Sequence, residues 1–95
     1  SNDPEVREGE FLYGWFDWQD YAVCDRTKIV MRARAAIPLS AFAGLLGING
    51  LTAYLALTEL GRPTPGDALL VSTAAGSVGS FVGQIGRALG CRTVG

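Results

Sequence analysis

The run "ALLVSTAAGSVGSFV" (68–82) constrains this chain more than any other stretch. It opens on "ALLVST" (68–73), a continuous apolar run that predicts a strand buried on both faces, as in a parallel sheet. Small residues follow directly, enough for a tight turn out of that strand. Val78, Phe81, Val82, Ile85 and Leu89 then recur at spacings of three and four, which predicts an amphipathic helix with Gly90 as its stop. "CRTV" (91–94) begins a second strand. A strand, a crossover helix and a strand make an α/β unit with parallel pairing.

The same stretch has a competing reading. Residues 68–86 and 35–58 carry no charge, and uncharged spans of this length also suit membrane helices. Small residues at Gly79 and Gly83 even fit a membrane packing seam. The first span, however, crowds Pro38, Ser40, Gly44, Gly47, Asn49, Gly50 and Thr52 together. Lipid offers no partners for backbone groups freed by such breaks. Both spans divide into short capped pieces, so a membrane hairpin is the least favoured expectation, and no membrane partner is expected.

Upstream, residues 1–34 read as β-rich. "FLYGWFDW", "QDYAVCD" and "KIVMR" are three candidate strands between Gly and Asp breaks. Pro38 ends the extended region. "LSAFAGLLG" (39–47) predicts one short helix with Ser40 near its start. Asn49 predicts the N-cap of a second helix, with Leu51, Tyr54, Leu55 and Leu57 as its apolar face. Gly61 fits the position after that helix, Pro63 follows, and "PTPGD" (63–67) is a turn.

The charge pattern narrows the partners. Net charge is -1 over 95 residues, without the basic excess that nucleic-acid binding requires. Seven acids in residues 1–25 face Arg7 alone, whereas Arg26, Lys28, Arg32 and Arg34 cluster in the next nine positions. This reads as a solvated surface of partly cancelling charge, with a small basic patch as the alternative. Histidine is absent, and Cys24 and Cys91 lie far apart, so no zinc-ligand spacing exists. Two thiols do not make a disulfide framework. Both are read as packing residues in a reducing compartment, and the start "SNDPEVREGE" has no apolar segment of the signal-peptide kind. A cytoplasmic location is the expectation.

Within "AAGSVG", Ala74, Gly76 and Gly79 fall on the spacing of G-x-G-x-x-G, with alanine in the first slot. The first position needs a small residue for the turn. Gly76 allows backbone to approach a pyrophosphate, and Gly79 allows close packing of the helix. The amides of Ser77 and Val78 would point at phosphate oxygens along the helix dipole, and Ser77 could add a hydroxyl. The motif alone is weak, and its plain alternative is a small-residue turn with no ligand. The strand before it and the helix and strand after it strengthen it. The residue that separates NAD from NADP belongs at or beyond the end of the second strand, so the cofactor cannot be chosen from the motif.

"GWFDWQDYAVCD", "GINGLTAYLALTELGRPTPGD" and "LLVSTAAGSVGSFVGQIGRALGCRTVG" together resemble the zinc-independent medium-chain dehydrogenase/reductases. The nearest group is the prostaglandin reductase, or leukotriene B4 12-hydroxydehydrogenase, type with its double-bond reductase relatives. The resemblance covers essentially the whole chain in order. It implies a GroES-like β-rich substrate domain, here 1–38, followed by linking helices and the first part of an NADP-binding Rossmann domain, here 39–95. It further implies NADP(H) as cofactor, reduction of the C=C bond of α,β-unsaturated ketones and aldehydes by hydride transfer, and a homodimeric parent. Gly76, Ser77, Val78 and Gly79 match the pyrophosphate turn. Thr52 in "GLTAY" matches a threonine near the nicotinamide, although a threonine there can equally bond only its own helix. Ile48 and Asn49 stand where Met-Pro is common, which puts one local contact in doubt.

Other residues keep plainer readings. Tyr54 could donate a proton, but its helical spacing with Leu51 and Leu57 favours core. Trp15, Trp18 and Tyr21 could line a cleft, but are read as filling a small β core. No catalytic residue can be named. A two-stranded parallel sheet cannot cover both faces, so the chain reads as an excerpt of a longer reductase and as inactive alone. Quinone reduction on the same fold and a noncatalytic partner module are the alternatives.

Overall fold

The structure, a computed structural model, describes residues 2–34 and 36–95. They form two compact units, Ser1–Phe42 and Ala43–Gly95. The elements are α/β in kind: each unit contains a two-stranded sheet, and the second is dominated by helices.

In the first unit, β1 (Leu12–Gly14) pairs antiparallel with β2 (Ile29–Arg32). The register runs Leu12 to Arg32 and Tyr13 to Met31, then slips so that Gly14 faces Ile29. Gly14 fits this irregularity because any Cβ there would run into the Lys28 carbonyl. A short 3-10 turn, Arg26–Lys28, leads into β2. Two of the clustered bases are paired here: Arg26 bridges Asp3 at 3.6 Å and also pairs with Glu5, and Arg32 reaches Glu10 at 3.7 Å. This agrees with the reading of a solvated, partly cancelling surface.

Three expectations fail in this unit. "QDYAVCD" is not a strand, because residues 15–25 form loop and bends, with Asp17 in the left-handed region at φ 59°. Trp15, Trp18 and Tyr21 do not fill a core either. Trp18 and Tyr21 are almost wholly exposed, and Trp15 is 62% exposed. Two short strands present too little apolar face to bury three large rings. Cys24, on the same loop, is exposed and not a packing residue, whereas Cys91 is buried as expected.

The α1 helix (Leu39–Ala43) is shorter than expected and gives way to turns at 44–46. Next, α2 (Ile48–Leu55) begins one residue before Asn49, so Asn49 lies inside the helix and Gly47 is the N-cap. Packing explains the earlier start. Gly50 is buried against the Leu45 carbonyl, where no Cβ fits, and this fixes the turn just before the helix. The buried face of α2 is Gly50, Ala53 and, one turn on, Leu57. Leu51, Tyr54 and Leu55 are half exposed, which corrects the expectation that they form the core face. α2 and α3 are in contact, and the small buried residues of α2 allow a close approach of its neighbours.

The chain continues as a wider π turn over Ala56–Gly61. The extra residue moves the helix end beyond Gly61. Arg62, not Gly61, takes the left-handed terminal position (φ 45°), and its N–H donates to the Leu57 carbonyl at 2.6 Å. The 64–67 turn forms as expected. Pro65 and Gly66 (φ 97°) occupy its centre, the Asp67 N–H bonds the Thr64 carbonyl at 3.1 Å, and Asp67 Oδ2 accepts from the Thr64 N–H at 2.7 Å and hydroxyl at 2.9 Å. These bonds to the charged form hold the Asp67 carboxyl below its ordinary value.

From there β3 (Ala68–Leu70) pairs in parallel with β4 (Arg92–Val94), and α3 (Ser77–Ala88) crosses between them. Leu69 and Thr93 face α3, where Gly86 leaves room for them. Gly90 (φ 84°) ends α3 as predicted: its N–H donates to Arg87 and that of Cys91 to Gly86, a paired helix stop. The strand is not buried on both faces. Leu70 is 81% exposed and Val94 55%, so one side of the sheet is bare. Among the described residues no helix is long and apolar enough to cross a membrane.

Candidate cofactor-phosphate site

The site is built where β3 turns into α3. The Val71 N–H still bonds the Val94 carbonyl at 2.8 Å, and the chain then leaves the sheet. Thr73 adopts φ 54°, an unusual conformation for a β-branched residue. Its carbonyl turns inward and accepts the Gly76 N–H at 2.9 Å. Gly76 is the extended N-cap of α3, and its own carbonyl accepts the first helical bond, from Ser80 at 2.9 Å.

No side chain caps this helix. The first-turn amides of Ser77, Val78 and Gly79 have no partner within the helix ladder, and they carry the positive end of its dipole. They border a groove of about 480 Å³ lined by Leu70, Thr73, Gly76, Ser77, Val78 and Val82. A second groove of about 410 Å³ runs past Ala74, Ser80, Gln84 and Arg87. No acidic side chain lines either groove. A diphosphate fits such a place: uncapped amides, a positive dipole and no carboxylate to repel it.

The two glycines act differently from one another. A Cβ on Gly79 would run into the Thr73 carbonyl oxygen and lie 3.1 Å from the Ala74 Cα, so the helix packs directly on the turn's backbone. A Cβ on Gly76 would meet the Thr73 methyl and carbonyl, each at 3.2 Å. Gly79 thus packs against the turn more than against the strand.

Gly76, Ser77, Val78 and Gly79 are brought together here. Thr52 is not among the residues lining either groove; it is exposed on α2, and its hydroxyl donates to the Ile48 carbonyl at 2.7 Å. That is the helix-internal bond of its plainer reading. Tyr54, 52% exposed, borders a separate apolar groove with Leu45, Leu51 and Ile85. Gln84 is exposed as expected, its amide bonded to the Ser80 carbonyl at 3.1 Å, and so is Arg87. Sequence reasoning missed Thr73. No sequence signal marks it, because the left-handed region favours Gly or Asn over a β-branched residue.

Comparison with known proteins places this geometry in a class. No protein-family model matches the chain. The whole chain nevertheless aligns with the NADPH-dependent curcumin reductase of Escherichia coli at 40% identity and with the NADP(+)-dependent 2-alkenal reductase of Nicotiana tabacum at 36%. Rabbit prostaglandin reductase 1 is 36% identical, again over all of the chain. The chain spans 28% of the length of each of these relatives. A solved structure, CurA from Vibrio vulnificus in complex with NADPH, matches 68% of the chain and 19% of its own, with TM-score 0.55 and 45% identity.

These relatives are NADP-dependent oxidoreductases, and the resemblance to the prostaglandin reductase and alkenal reductase group holds over the full chain.

Proposed function

We propose that this chain is the domain junction of an NADP(H)-dependent, zinc-independent double-bond reductase. Residues 1–38 close a GroES-like substrate domain, and 39–95 open the Rossmann domain. The observation that carries this reading is the uncapped start of α3, set behind Gly79 and opening on a groove without carboxylates. Gly76, Ser77, Val78 and Gly79 hold the pyrophosphate through backbone amides, and Ser77 offers a hydroxyl. Thr52 stands toward the nicotinamide, its hydroxyl oxygen able to accept while its O–H donates to the Ile48 carbonyl.

When bound, the cofactor supplies the hydride for an enone or enal C=C bond. The names of the relatives, a 2-alkenal reductase and a curcumin reductase among them, support this substrate class. The parent acts as a cytoplasmic homodimer, and the 95-residue chain alone is inactive because its sheet has one bare face.

Titration of the full-length parent with NADPH, followed by nicotinamide fluorescence, tests this reading. The wild type is expected to bind. Gly76→Val brings new methyls against Thr73 and the groove lining, and should weaken binding by on the order of a hundredfold. The β1–β2 unit should keep its circular dichroism. Wild-type affinity in that variant would mean the turn holds no phosphate.

A further inference from the structure

The alanine in the first slot of the glycine motif raises a question of space. Ala74 carries a Cβ at the tightest point of the turn, and the structure shows what accommodates it. On one side, Gly79 brings α3 so close that a Cβ there would lie 3.1 Å from the Ala74 Cα. On the other side lies Gly95, immediately after β4. A Cβ on Gly95 would overlap the Cβ of Ala74 and sit 3.2 Å from the Val71 carbonyl oxygen. Carbon atoms pack best at about 3.5–4.0 Å, so this overlap demands movement.

Neither neighbour can give way easily. Val94, the residue before Gly95, is tied to β3 by the bond from the Val71 N–H to its carbonyl, 2.8 Å long. Ala74 cannot retreat toward α3, because Gly79 is already against its Cα. The free direction is along the turn itself, which closes at Gly76, whose N–H bonds the Thr73 carbonyl. A side chain at position 95 would therefore displace the segment that aims the amides of Ser77 and Val78.

We infer that Gly95 is a positioning residue for the phosphate turn: its missing side chain accommodates the Ala74 methyl, and together they set where the first-turn amides of α3 point. The inference rests on the reading of this turn as the cofactor's phosphate site. It also explains why an alanine can stand where the motif ordinarily has glycine. The space that a glycine at 74 would leave empty is supplied by the glycine at 95.

The test is a two-residue cycle in the full-length protein, reading NADPH affinity by fluorescence and the melting temperature of the ligand-free protein. Gly95→Ala should raise the NADPH Kd about tenfold or more. Ala74→Gly alone gives the reference Kd for a turn without the methyl. The double variant Ala74→Gly/Gly95→Ala removes the overlap and should bind within about threefold of that reference, because residues in contact are not additive. If Gly95→Ala does not fold, the double variant alone decides: folded and binding supports the clamp, folded without binding overturns it. Gly95→Ala with wild-type affinity also overturns it. No binding by the wild type overturns the cofactor reading itself, a result distinct from any failure among the variants.

Discussion

The two units hold themselves together by opposite means. In residues 1–42 Phe42 is buried, but the rings of the 15–25 loop are on the outside: Trp15, Trp18 and Tyr21 are exposed, and the described links between distant segments include a three-residue strand pairing and the ion pairs of Arg26 and Arg32. In residues 43–95 the buried positions are small. Gly50, Ala53, Gly86 and Cys91 lie inside, with Leu57 the one large side chain among them. The difference teaches that apolar content and close packing are separate properties. Aromatic residues contribute burial energy only where other elements cover them, whereas a missing Cβ contributes by letting backbones meet.

The comparison can be broken most forcefully at Gly50. Gly50→Ala places a methyl into the Leu45 carbonyl, a backbone group that cannot rotate away. A loss of about 3 kcal/mol is expected from overpacking of this kind, read by thermal or urea unfolding. A change below about 0.5 kcal/mol would show that the turn at 44–47 is not packed on α2.

Asp67 offers a pH-dependent handle on the same unit. Its carboxyl is held below the ordinary value of 3.8, first by the bond from the Thr64 backbone N–H and then by the Thr64 hydroxyl. A depressed folded-state value means that its contribution is present above 3.8 and is lost as pH falls through the lower, folded value. Asp67→Asn should therefore lower stability at neutral pH and flatten the acid limb of the unfolding profile below about pH 4. An unchanged limb would remove the turn from the account.

In the first unit the effects should be smaller. Arg26→Ala deletes the pairs with half-buried Asp3 and exposed Glu5, and should cost about 0.2–1 kcal/mol, fading as salt is raised. A loss that persists at high salt would point to packing by the arginine stem. The smallest change is expected for Trp18→Ser in this chain, within about 0.5 kcal/mol of the parent sequence. Iodide should quench Trp18 as readily as a free indole. A stability loss above about 1 kcal/mol would mean that the 15–25 loop is packed after all.

Much of the second unit was legible as pattern. The strand–turn–helix–strand order, the stop at Gly90 and the 64–67 turn follow from local chemistry: a β-branched and apolar run, a period of three to four, and Gly or Pro where φ demands them. The turn at 76–79 was legible for the same reason. The first unit was less so, because "QDYAVCD" has strand-forming residues but, among the described residues, no partner strand to complete its hydrogen bonds. Tyr54 and Leu51 carry the right period for a core face, yet the smaller face, with Gly50 and Ala53, is the one that is buried. Periodicity tells that a helix has faces; it does not tell which neighbour arrives.

The sequence by itself determined the α/β class, the order of elements around the glycine turn and, through its three long blocks, the kinship with NADP-dependent reductases. Those depend on local backbone preference and on residues in a row. Tertiary structure alone decided that Thr73 bends into the left-handed region, that Thr52 bonds its own helix, and that Gly95 meets Ala74 across 21 positions of chain. Such facts depend on which atoms share a volume, and spacing along a chain does not carry that until the backbone has closed on itself.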